Sequence, residues 1–578
     1  MNDEVMEPGL ANERLHDSVR AAAAYLRTRD PRSDARRLEI CRSALTGGAL
    51  LGSAFSDVGK LQKTDQYYWI SALYMLLMPP MRRRRLAAFF TPPHLCNHVL
   101  ARLEFHGADF ASHRVLDPAS GGAAFLVPWA QRLLASCRAS GLEAANIIQR
   151  AQTQLSGIEI EPGLAQLSEY LLADVFQGEL TELTTPSLKV IRRGNALANA
   201  EDDNQYDVVV ANPPYGRVFR PSASLRRRWA HILSHGHVNT YALFVGLALE
   251  RLKPGGLAAL VIPTSFIAGP YFTAFREHLL HNCEVLELNL VRKRSAVFLD
   301  VIQDTCVLIL RKGTRTAVHL PACHIVQEDG SATIAGNIGL PNKGGRAWTL
   351  PSLGNGASDE LFHPALKTLA DYGYTVKAGY FVWNRSKERL NDRLHPEPGE
   401  VPLVWAHNIA TGDVNLTARS DRSKISFVTL PDASTALVTE ESVVLQRTTN
   451  KSQRRLLIAA RVPSDLIARY GAFVSENHTI VVSPKRGERQ QITPTELAAL
   501  LNTKPLDDRY RRISGTVNIS TRLLRELPLP DPNLVPAALA SSDPDARIEL
   551  AYWKTIEGAR PDQLNGPAEN PPEDSVQE

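Results

Sequence analysis

The sequence lacks the paired cysteines that would indicate a structural zinc site or a disulfide framework. Its six cysteines lie far apart and none belongs to a CxxC motif, which fits a reducing compartment. The first residues carry neither the basic start nor the apolar stretch of a signal peptide. No apolar run reaches the ~18 residues needed to cross a bilayer. We therefore expect a cytoplasmic protein with no membrane contact and no bound metal.

The charge of the chain is small in total but unevenly distributed. The 578 residues carry a net charge of +4 and are 44% hydrophobic, and a chain of this length is expected to form two or three domains. Residues 376–530 contain 23 Lys and Arg against 16 Asp and Glu, whereas residues 531–578 contain 3 against 10. A basic module followed by an acidic tail favours a nucleic-acid partner; a solvated basic surface is the alternative.

The most informative stretch is a β-branched apolar run, Val208–Val210, that leads into Asn212-Pro213-Pro214-Tyr215. Such a run predicts a buried strand, and ligands bind beyond the carboxyl ends of strands in open α/β sheets. The Asn212 side-chain oxygen and the Pro213 carbonyl could accept both N–H bonds of an adenine amino group, which would free its lone pair for attack on a methyl group. Pro213 and Pro214 stiffen the loop, and Tyr215 offers a flat face for stacking. A strand followed by a rigid turn is the simpler interpretation.

A second informative stretch lies upstream, where a strand, a turn of small residues and a helix follow one another. The strand covers His113–Asp117, the turn covers Pro118–Gly122, and the helix is predicted to begin at Ala123. This order opens a nucleotide-binding α/β unit, in which small residues let the backbone approach the ligand. The turn is not a GxGxxG motif, so an adenosine-containing cofactor is favoured over a dinucleotide.

Polar side chains follow the next two predicted strands. The strand Leu155–Ile160 ends near Glu159, whose carboxylate can accept hydrogen bonds from both ribose hydroxyls of an adenosine, and we prefer Glu159 to Glu161 for this role. The strand Lys189–Arg192 leads to Asn195, which could pair with the adenine edge of the cofactor. A Gly-Asn pair is also an ordinary turn.

Residues 1–85 contain helical patterns and no catalytic constellation. Four consecutive arginines, Arg82–Arg85, fit a solvated connector or a phosphate contact. Beyond them Thr91 is expected to cap a helix that opens with prolines and could hold a carboxylate at its N-terminus. The remaining patterns predict a helix and three strands of a seven-stranded α/β sheet with an antiparallel last pair: Thr240–Leu252, Leu257–Ile262, Val285–Leu290 and Thr305–Leu310.

In this order of segments, residues 86–312 resemble the adenine-specific DNA methyltransferases that use S-adenosylmethionine. The resemblance is to the TaqI-type or gamma class, the Eco57I-like methylase family, and it rests on three motifs in sequence: Phe90-Thr91-Pro92, Asp117–Phe125 and Asn212–Tyr215. It implies a class I methyltransferase sheet of Rossmann-like form, an N-terminal helical region and a C-terminal mixed α/β target-recognition domain.

The resemblance also implies roles for individual residues. Phe298 would be the second aromatic that holds a flipped adenine against Tyr215. The cofactor would be bound by Phe90, Thr91 and Pro92 at its methionine end, by Asp117, Ala119, Ser120 and Gly121 along its methionine and sugar, and by Glu159, Asn195 and Asn212.

Two features depart from the family pattern. The family loop usually reads Asp-Pro-Ala-Cys-Gly-Ser-Gly, whereas this loop carries Gly122 and Ala123 at its last two positions. Asn195 stands in place of a common acidic residue. An amide oxygen can still accept a hydrogen bond from the cofactor amino group.

These patterns predict five regions: an N-terminal helical region 1–85, a catalytic domain 86–325, a connector 326–375, a target-recognition domain 376–532 and an acidic, partly disordered tail 533–578. One short helix is expected in the tail near Arg547–Ile556. The recognition domain contains a dense basic cluster with suitable donors for phosphates and base edges, and we expect it to bind DNA. The cluster consists of Arg447, Lys451, Arg454 and Arg455.

The expected function is site-specific methylation of the adenine 6-amino group in duplex DNA. The protein would be a monomer and the modification component of a restriction-modification or related defence system, alongside a separate restriction endonuclease. Three alternatives remain: an amine methyltransferase acting on RNA or protein glutamine, a cytosine-amino methyltransferase, and a catalytically idle DNA-binding subunit. The cytosine enzymes are less favoured because they usually carry Ser in place of Asn212.

Overall fold

A computed structural model shows how the chain folds into two compact units, Met1–Leu353 and Gly354–Glu578. All six cysteines are buried as free thiols. In the described part of the chain no helix is long and apolar enough to cross a membrane. The structure describes residues 8–27, 33–45, 56–86, 91–183, 188–198, 204–218, 221–233, 239–291, 304–313, 320–341, 346–351, 361–385, 389–418, 425–430, 434–448, 455–514 and 518–558.

The first unit begins with helices, as the apolar spacing predicts. They are α1 (Pro8–Arg27), α2 (Asp34–Leu45), α3 (Ser56–Gly59), α4 (Lys63–Leu77) and α5 (Pro80–Leu86). Their apolar side chains share one core with the large sheet of the unit, since Val19, Leu38 and Leu73 belong to the same buried cluster as Val208. The N-terminal helical region therefore packs as part of the first unit.

Among the described residues of the first unit, nine strands form one sheet. They are β1 (Val115–Asp117), β2 (Leu155–Glu159), β3 (Ile191–Arg193), β4 (Tyr206–Ala211), β5 (Leu252–Pro263), β6 (Cys283–Val291), β7 (Thr305–Lys312), β8 (Ala322–Val326) and β9 (Ala332–Asn337). The order is β3-β2-β1-β4-β5-β7-β6-β8-β9. The first five strands in this order run parallel, and β7 lies antiparallel between β5 and β6. The predicted seven-stranded sheet is thus present, with β8 and β9 added at one edge.

Helices cover the sheet and bury β4 from both sides. Val208 and Val210 belong to one apolar core while Val209 and Ala211 belong to the other, because successive side chains of a strand point to opposite faces. The β-branched run is therefore a central strand, as predicted. The helices after α5 are α6 (Pro93–Phe105), α7 (Leu126–Ala139), α8 (Ala144–Gln154), α9 (Pro162–Val175), α10 (Gln177–Thr181), α11 (Ala223–Arg228), α12 (Thr240–Arg251) and α13 (Thr273–Asn282).

Part of the predicted connector 326–375 belongs to this sheet domain. Strand β9 lies inside that range, and Trp348 is fully buried with its backbone N–H donating to Ile267 O at 2.9 Å. The Trp348 ring packs edge-on against Phe266. The prediction of a connector missed this tryptophan, which anchors the segment to the sheet domain.

The arginine run at α5 contains a structural ion pair. Arg82 donates to the buried Glu161 carboxylate at 2.6 Å and to Asp34 at 3.1 Å. Glu161 also accepts the Leu164 N–H at 2.7 Å and so caps α9. Arg82 therefore links the N-terminal helices to the sheet domain through a buried charge. The role of this residue is structural, which replaces the interpretation that it contacts phosphate.

Replacing Arg82 with alanine is expected to lower the free energy of unfolding by about 2 to 3 kcal/mol, because it leaves the buried Glu161 carboxylate without its cation. Arg36→Ala is the matched control, since Arg36 pairs with Glu39 at the surface and such pairs contribute at most about 1 kcal/mol. Urea denaturation of both variants measures the difference. Equal losses in the two variants would contradict a structural role for the Arg82 pair.

In the part of the second unit that the structure describes there are two four-stranded sheets, ordered β10-β17-β14-β15 and β11-β13-β12-β16. The strands are β10 (Tyr374–Ala378), β11 (Leu390–Arg393), β12 (Glu400–Val404), β13 (Ile425–Thr429), β14 (Val443–Gln446), β15 (Ala459–Arg461), β16 (Val474–Ser475) and β17 (Thr479–Pro484). The helices are α14 (Ser464–Tyr470), α15 (Pro494–Leu501), α16 (Lys504–Ser514), α17 (Thr521–Arg525), α18 (Val535–Leu539) and α19 (Pro544–Glu557). The mixed α/β character is as predicted.

The helix predicted near Arg547–Ile556 is confirmed as α19, and it packs into the second unit. Its Ile548 and Tyr552 are buried, and Tyr552 Oη donates to Pro528 O at 2.7 Å. The first half of the predicted acidic tail is thus folded. Residues 559–578 lie outside the described residues, and the predicted disorder there stays a prediction.

Candidate active site

A cavity of about 360 Å³ opens at the carboxyl ends of β1, β2, β3 and β4. This is the edge of a parallel sheet at which ligands bind. Nine of the residues predicted from the sequence to bind cofactor or substrate line it, although they come from five separate segments. They are Thr91, Asp117, Ala119, Ser120, Gly121, Glu159, Asn195, Asn212 and Pro214.

The loop after β1 forms one wall of the cavity. The Asp117 carboxylate accepts the Ala119 N–H at 3.0 Å, and the Ser120 N–H donates to Ile158 O at 3.0 Å. Gly121 and Ala123 both have positive φ angles, of 52° and 58°. Ala123 occupies the position where the family pattern has its last glycine, so the departure places an alanine in a backbone conformation that favours glycine. The helix predicted from Ala123 therefore starts later, at Leu126.

Glu159 connects this loop to the end of β2. Its two carboxylate oxygens accept the Gly121 N–H and the Glu161 N–H, each at 2.8 Å. A carboxylate has further acceptor capacity for ribose hydroxyls. Glu161, by contrast, is occupied by the cap of α9 and by Arg82, and it does not line the cavity. The placement of the two residues agrees with the preference for Glu159.

Burial sets the protonation of the two cavity carboxyls. Burial raises the pKa of Asp117 to about 8, with the Ala119 amide opposing the rise and the Glu159 carboxylate adding to it. Burial likewise raises the pKa of Glu159, against the opposing hydrogen bonds from the Glu161 and Gly121 amides. The cavity therefore disfavours its own negative charges, and a cationic ligand would stabilise them.

Asp117 makes the stability of the cofactor-free protein depend on pH. An unfolded Asp loses its proton near pH 4, whereas folded Asp117 keeps it to about pH 8, so its contribution to stability is full below about pH 4 and is lost as the pH rises toward 8. We expect Asp117→Asn, which does not titrate, to be more stabilising at about pH 8 than at about pH 5. Thermal unfolding of both proteins at the two pH values tests this; an equal shift at both would contradict it.

Asn195 forms the turn that the sequence allowed, and it also lies at the cavity. Its Oδ1 accepts the Leu197 N–H at 3.1 Å, which is an Asx turn. Asn195 also lines the cavity, and a carbonyl oxygen has a second lone pair for a ligand. The turn explains why an amide is compatible with this position, where the family pattern has an acidic residue. Contact between Asn195 and a cofactor adenine stays a prediction.

Asn212 lies at the end of β4 and is held by two side chains. Its Nδ2 donates to Thr91 Oγ1 at 3.0 Å, and Tyr215 Oη donates to Asn212 Oδ1 at 2.8 Å. Tyr215 is anchored in turn by its bond to Val261 O at 3.2 Å. These contacts fix which way the amide faces. The predicted cap by Thr91 is wrong: α6 has Pro92 at its N-cap with no side-chain cap bond, because the hydroxyl is turned toward Asn212.

The remaining predicted residues have varied positions. Pro213 and Tyr215 are buried beside the cavity and are not among its lining residues. Tyr215 belongs to an apolar core, and its role as a stacking face stays a prediction. Phe90 and Phe298 lie outside the described residues.

Several lining residues were missed by the sequence interpretation. Arg217, Val218 and Leu225 follow the Asn-Pro-Pro-Tyr motif, and Thr240 and Phe244 lie on α12. Thr240 Oγ1 donates to Gly216 O at 2.8 Å, which ties the loop to the helix. Closeness in sequence to the Asn-Pro-Pro-Tyr motif could have indicated the residues that follow it. The contact between this loop and α12 is a tertiary contact, which the sequence pattern does not show.

The donors and acceptors of the cavity fit S-adenosylmethionine. The buried Ser120 Oγ has no hydrogen-bond partner among the described residues, and the buried Asp117 and Glu159 carboxyls suit a ligand that carries positive charge and hydroxyls. Asp117, Ser120 and Glu159 would hold the cofactor. A parallel sheet with an antiparallel β7 and a cavity of this kind define a class I methyltransferase domain that uses S-adenosylmethionine.

Comparison with known proteins shows which methyltransferases the first unit is similar to. Residues 74–328 match the family model described as N-6 DNA Methylase. The chain is 23% identical over 353 residues to the type II methyltransferase M.BsuBI of Bacillus subtilis, covering 58% of this chain and 67% of that protein. It is 25% identical over 341 residues to M.PstI of Providencia stuartii, covering 56% and 65%. The catalytic domain is thus similar to N-6 DNA methylases and to type II methyltransferases.

Other relatives and structures match in part. The methylase subunit of the type I restriction enzyme StySPI of Salmonella potsdam is 31% identical over 206 residues, which cover 35% of this chain and 36% of that subunit. The type IIL restriction-modification enzyme MmeI in complex with DNA gives a TM-score of 0.53 at 14% identity, covering 86% of this chain and 79% of that one. The similarity to MmeI supports the fold.

Proposed function

We propose that this protein is a site-specific DNA methyltransferase that transfers a methyl group from S-adenosylmethionine to the 6-amino group of adenine in duplex DNA. The observation that carries the proposal is the orientation of Asn212. Its amide is fixed by Thr91 and Tyr215 at the end of β4, next to the cavity that fits the cofactor. The side chain that would accept the hydrogen bond of the amine and the pocket for the cofactor therefore lie at the same edge of the sheet.

In the proposed reaction the side chains position the amine. Asn212 Oδ1 and the Pro213 carbonyl each accept one N–H of the adenine amino group, and the carbonyl oxygen of Asn212 can do so while Tyr215 occupies its other lone pair. This directs the nitrogen lone pair toward the methyl group and out of conjugation with the ring. The cofactor supplies a sulfonium methyl that is already activated for transfer.

The adenine reaches the cavity by flipping out of the duplex. Unstacking and unpairing the base costs a few kcal/mol, which aromatic stacking and backbone contacts offset. Tyr215 and Phe298 are the proposed aromatic pair. The gamma-class assignment rests on the order of the three motifs along the chain.

The second unit is the proposed target-recognition domain. Arg447 Nη1 donates to Asn477 O at 3.2 Å, and Arg455 donates to Asn502 O. Both arginines are half-buried and partly engaged with carbonyls, so their contribution to DNA binding would come from their remaining N–H groups. Lys451 and Arg454 lie outside the described residues. All four keep their proposed role in binding DNA.

The proposed setting is the modification half of a restriction-modification or related defence system. The partners are duplex DNA with a specific recognition sequence and a separate restriction endonuclease, and the protein acts as a monomer. The names of M.BsuBI, M.PstI and the StySPI subunit support this setting.

Incubation of the purified protein with methyl-labelled S-adenosylmethionine and duplex DNA, followed by nucleoside mass spectrometry, tests the proposal. The expected product is N6-methyl-deoxyadenosine. Label in cytosine, or label in RNA or protein glutamine when these are supplied in place of the DNA, would show that the protein methylates a different amine. Calorimetric titration that shows no cofactor binding would instead identify an idle DNA-binding subunit.

A further inference from the structure

A cationic surface borders the mouth of the catalytic cavity. Between Asp207 and Glu250 the sequence contains five arginines and three histidines but no aspartate or glutamate. Arg217 lies in this segment, is exposed and lines the cavity. It is the one lysine, arginine or histidine among the lining residues that the structure describes.

Helix α11 carries two further exposed arginines beside this mouth. Leu225 of α11 lines the cavity, so the helix lies at its edge, and the next two residues, Arg226 and Arg227, are exposed. Arg228 differs, because it is half-buried and bonded to Glu250 at 2.6 Å and to Leu197 O at 3.3 Å. Arg228 therefore anchors the helix, while Arg226 and Arg227 are exposed, with Arg226 Nε donating to Pro221 O at 3.3 Å.

The backbone that carries these arginines is held by contacts with its neighbours. Trp229, directly after α11, is fully buried, and a Cβ added at Gly246 would come within 2.6 Å of its ring. Glycine at this position thus lets the segment pack closely on α12. On the other side, the Arg217 backbone bridges to Asn239. Packing and backbone pairing therefore hold the backbone that carries these arginines.

We infer that Arg217, Arg226 and Arg227 bind the DNA phosphates that flank the flipped adenine, an inference that rests on the proposed function. A base that rotates about its backbone into a pocket leaves its own flanking phosphates at the mouth. Exposed guanidinium groups at that mouth complement their charge and geometry. The segment between Asp207 and Glu250 contains no aspartate or glutamate that would repel the same phosphates.

The test compares Arg226→Ala/Arg227→Ala with Arg150→Ala. Arg150 is an exposed arginine near the end of α8, which leads into the amino end of β2 at the opposite edge of the sheet. Fluorescence anisotropy with a labelled, mixed-sequence DNA duplex is measured over a series of salt concentrations. The slope of log affinity against log salt becomes shallower by about 0.9 for each phosphate that the protein no longer neutralises.

For the double variant we expect a slope shallower by about 1.8, with the affinity near 0.1 M salt reduced by about tenfold or more. Arg226→Lys/Arg227→Lys is expected to restore most of the slope. Arg150→Ala should match the wild type, and calorimetry should show unchanged S-adenosylmethionine binding by the double variant. A wild-type slope in a double variant that binds cofactor would overturn the inference.

Arg217→Ala tests whether Arg217 binds DNA phosphate or the cofactor. We expect weaker DNA binding with unchanged cofactor affinity, whereas loss of cofactor affinity with unchanged DNA binding would overturn the assignment of Arg217 to phosphate. The proposed function fails separately, if wild-type protein binds DNA with the steep salt slope and methylates no adenine.

Discussion

Replacing Asn212 with alanine is expected to reduce methyl transfer by at least about a hundredfold while S-adenosylmethionine binding is retained. Losing one preorganised hydrogen-bonding group at a reacting centre typically has an effect of about 10²- to 10³-fold, and alanine cannot accept the adenine N–H. The amide acts from a fixed orientation between Thr91 and Tyr215. Single-turnover methylation and calorimetry measure the two quantities separately.

Tyr215→Phe is the matched control for this prediction. It keeps the ring and removes only the hydroxyl, which bonds Asn212 Oδ1 and also Val261 O. One such bond contributes about 1 kcal/mol, so we expect a loss of about fivefold. Unchanged methylation in Asn212→Ala would refute the role given to Asn212. A loss of methylation that is larger in Tyr215→Phe than in Asn212→Ala would refute it as well.

Glu159→Gln is expected to raise the dissociation constant for S-adenosylmethionine by about 10- to 100-fold. Hydrogen bonds to a charged acceptor contribute about 1.5 to 3 kcal/mol, and the amide cannot accept two ribose hydroxyls while it also holds the Gly121 and Glu161 N–H groups. The loss should appear mainly in KM for the cofactor, with a smaller effect on kcat. Titration calorimetry measures it directly.

Glu161→Gln provides the comparison, since the two residues are both buried and only two positions apart. Glu161 caps α9 and pairs with Arg82, so its loss should lower thermal stability and leave cofactor affinity close to the wild-type value. Equal effects on cofactor affinity in the two variants would contradict the assignment of the ribose to Glu159.

The sequence predicted the site best where a local pattern has one physical interpretation. The apolar run before Asn212 requires a central strand, and the strand, turn and helix around Asp117 predict a nucleotide site. Asn212 and the loop that follows Asp117 lie at the same edge of the observed sheet. Parallel strands bring their carboxyl ends together, so residues far apart in the chain could be grouped before the fold was known.

Other features depend on tertiary contacts that no local pattern encodes. Thr91 has the residue type of a helix cap and precedes a helix, yet its hydroxyl accepts a hydrogen bond from Asn212, 121 residues away. Trp348 lies in a stretch with a connector composition and is buried in the sheet domain. The positive φ of Ala123 delays the start of α7, although alanine itself favours helix.

Methylation of adenine at a specific DNA sequence is the central proposal for this protein, and expression in a methylation-free host tests it most directly. Single-molecule sequencing of the host DNA should reveal N6-methyladenine at one recurring sequence, and the same experiment with Asn212→Ala should reveal none. The absence of any methyladenine motif, with the wild-type protein folded and bound to its cofactor, would contradict this proposal.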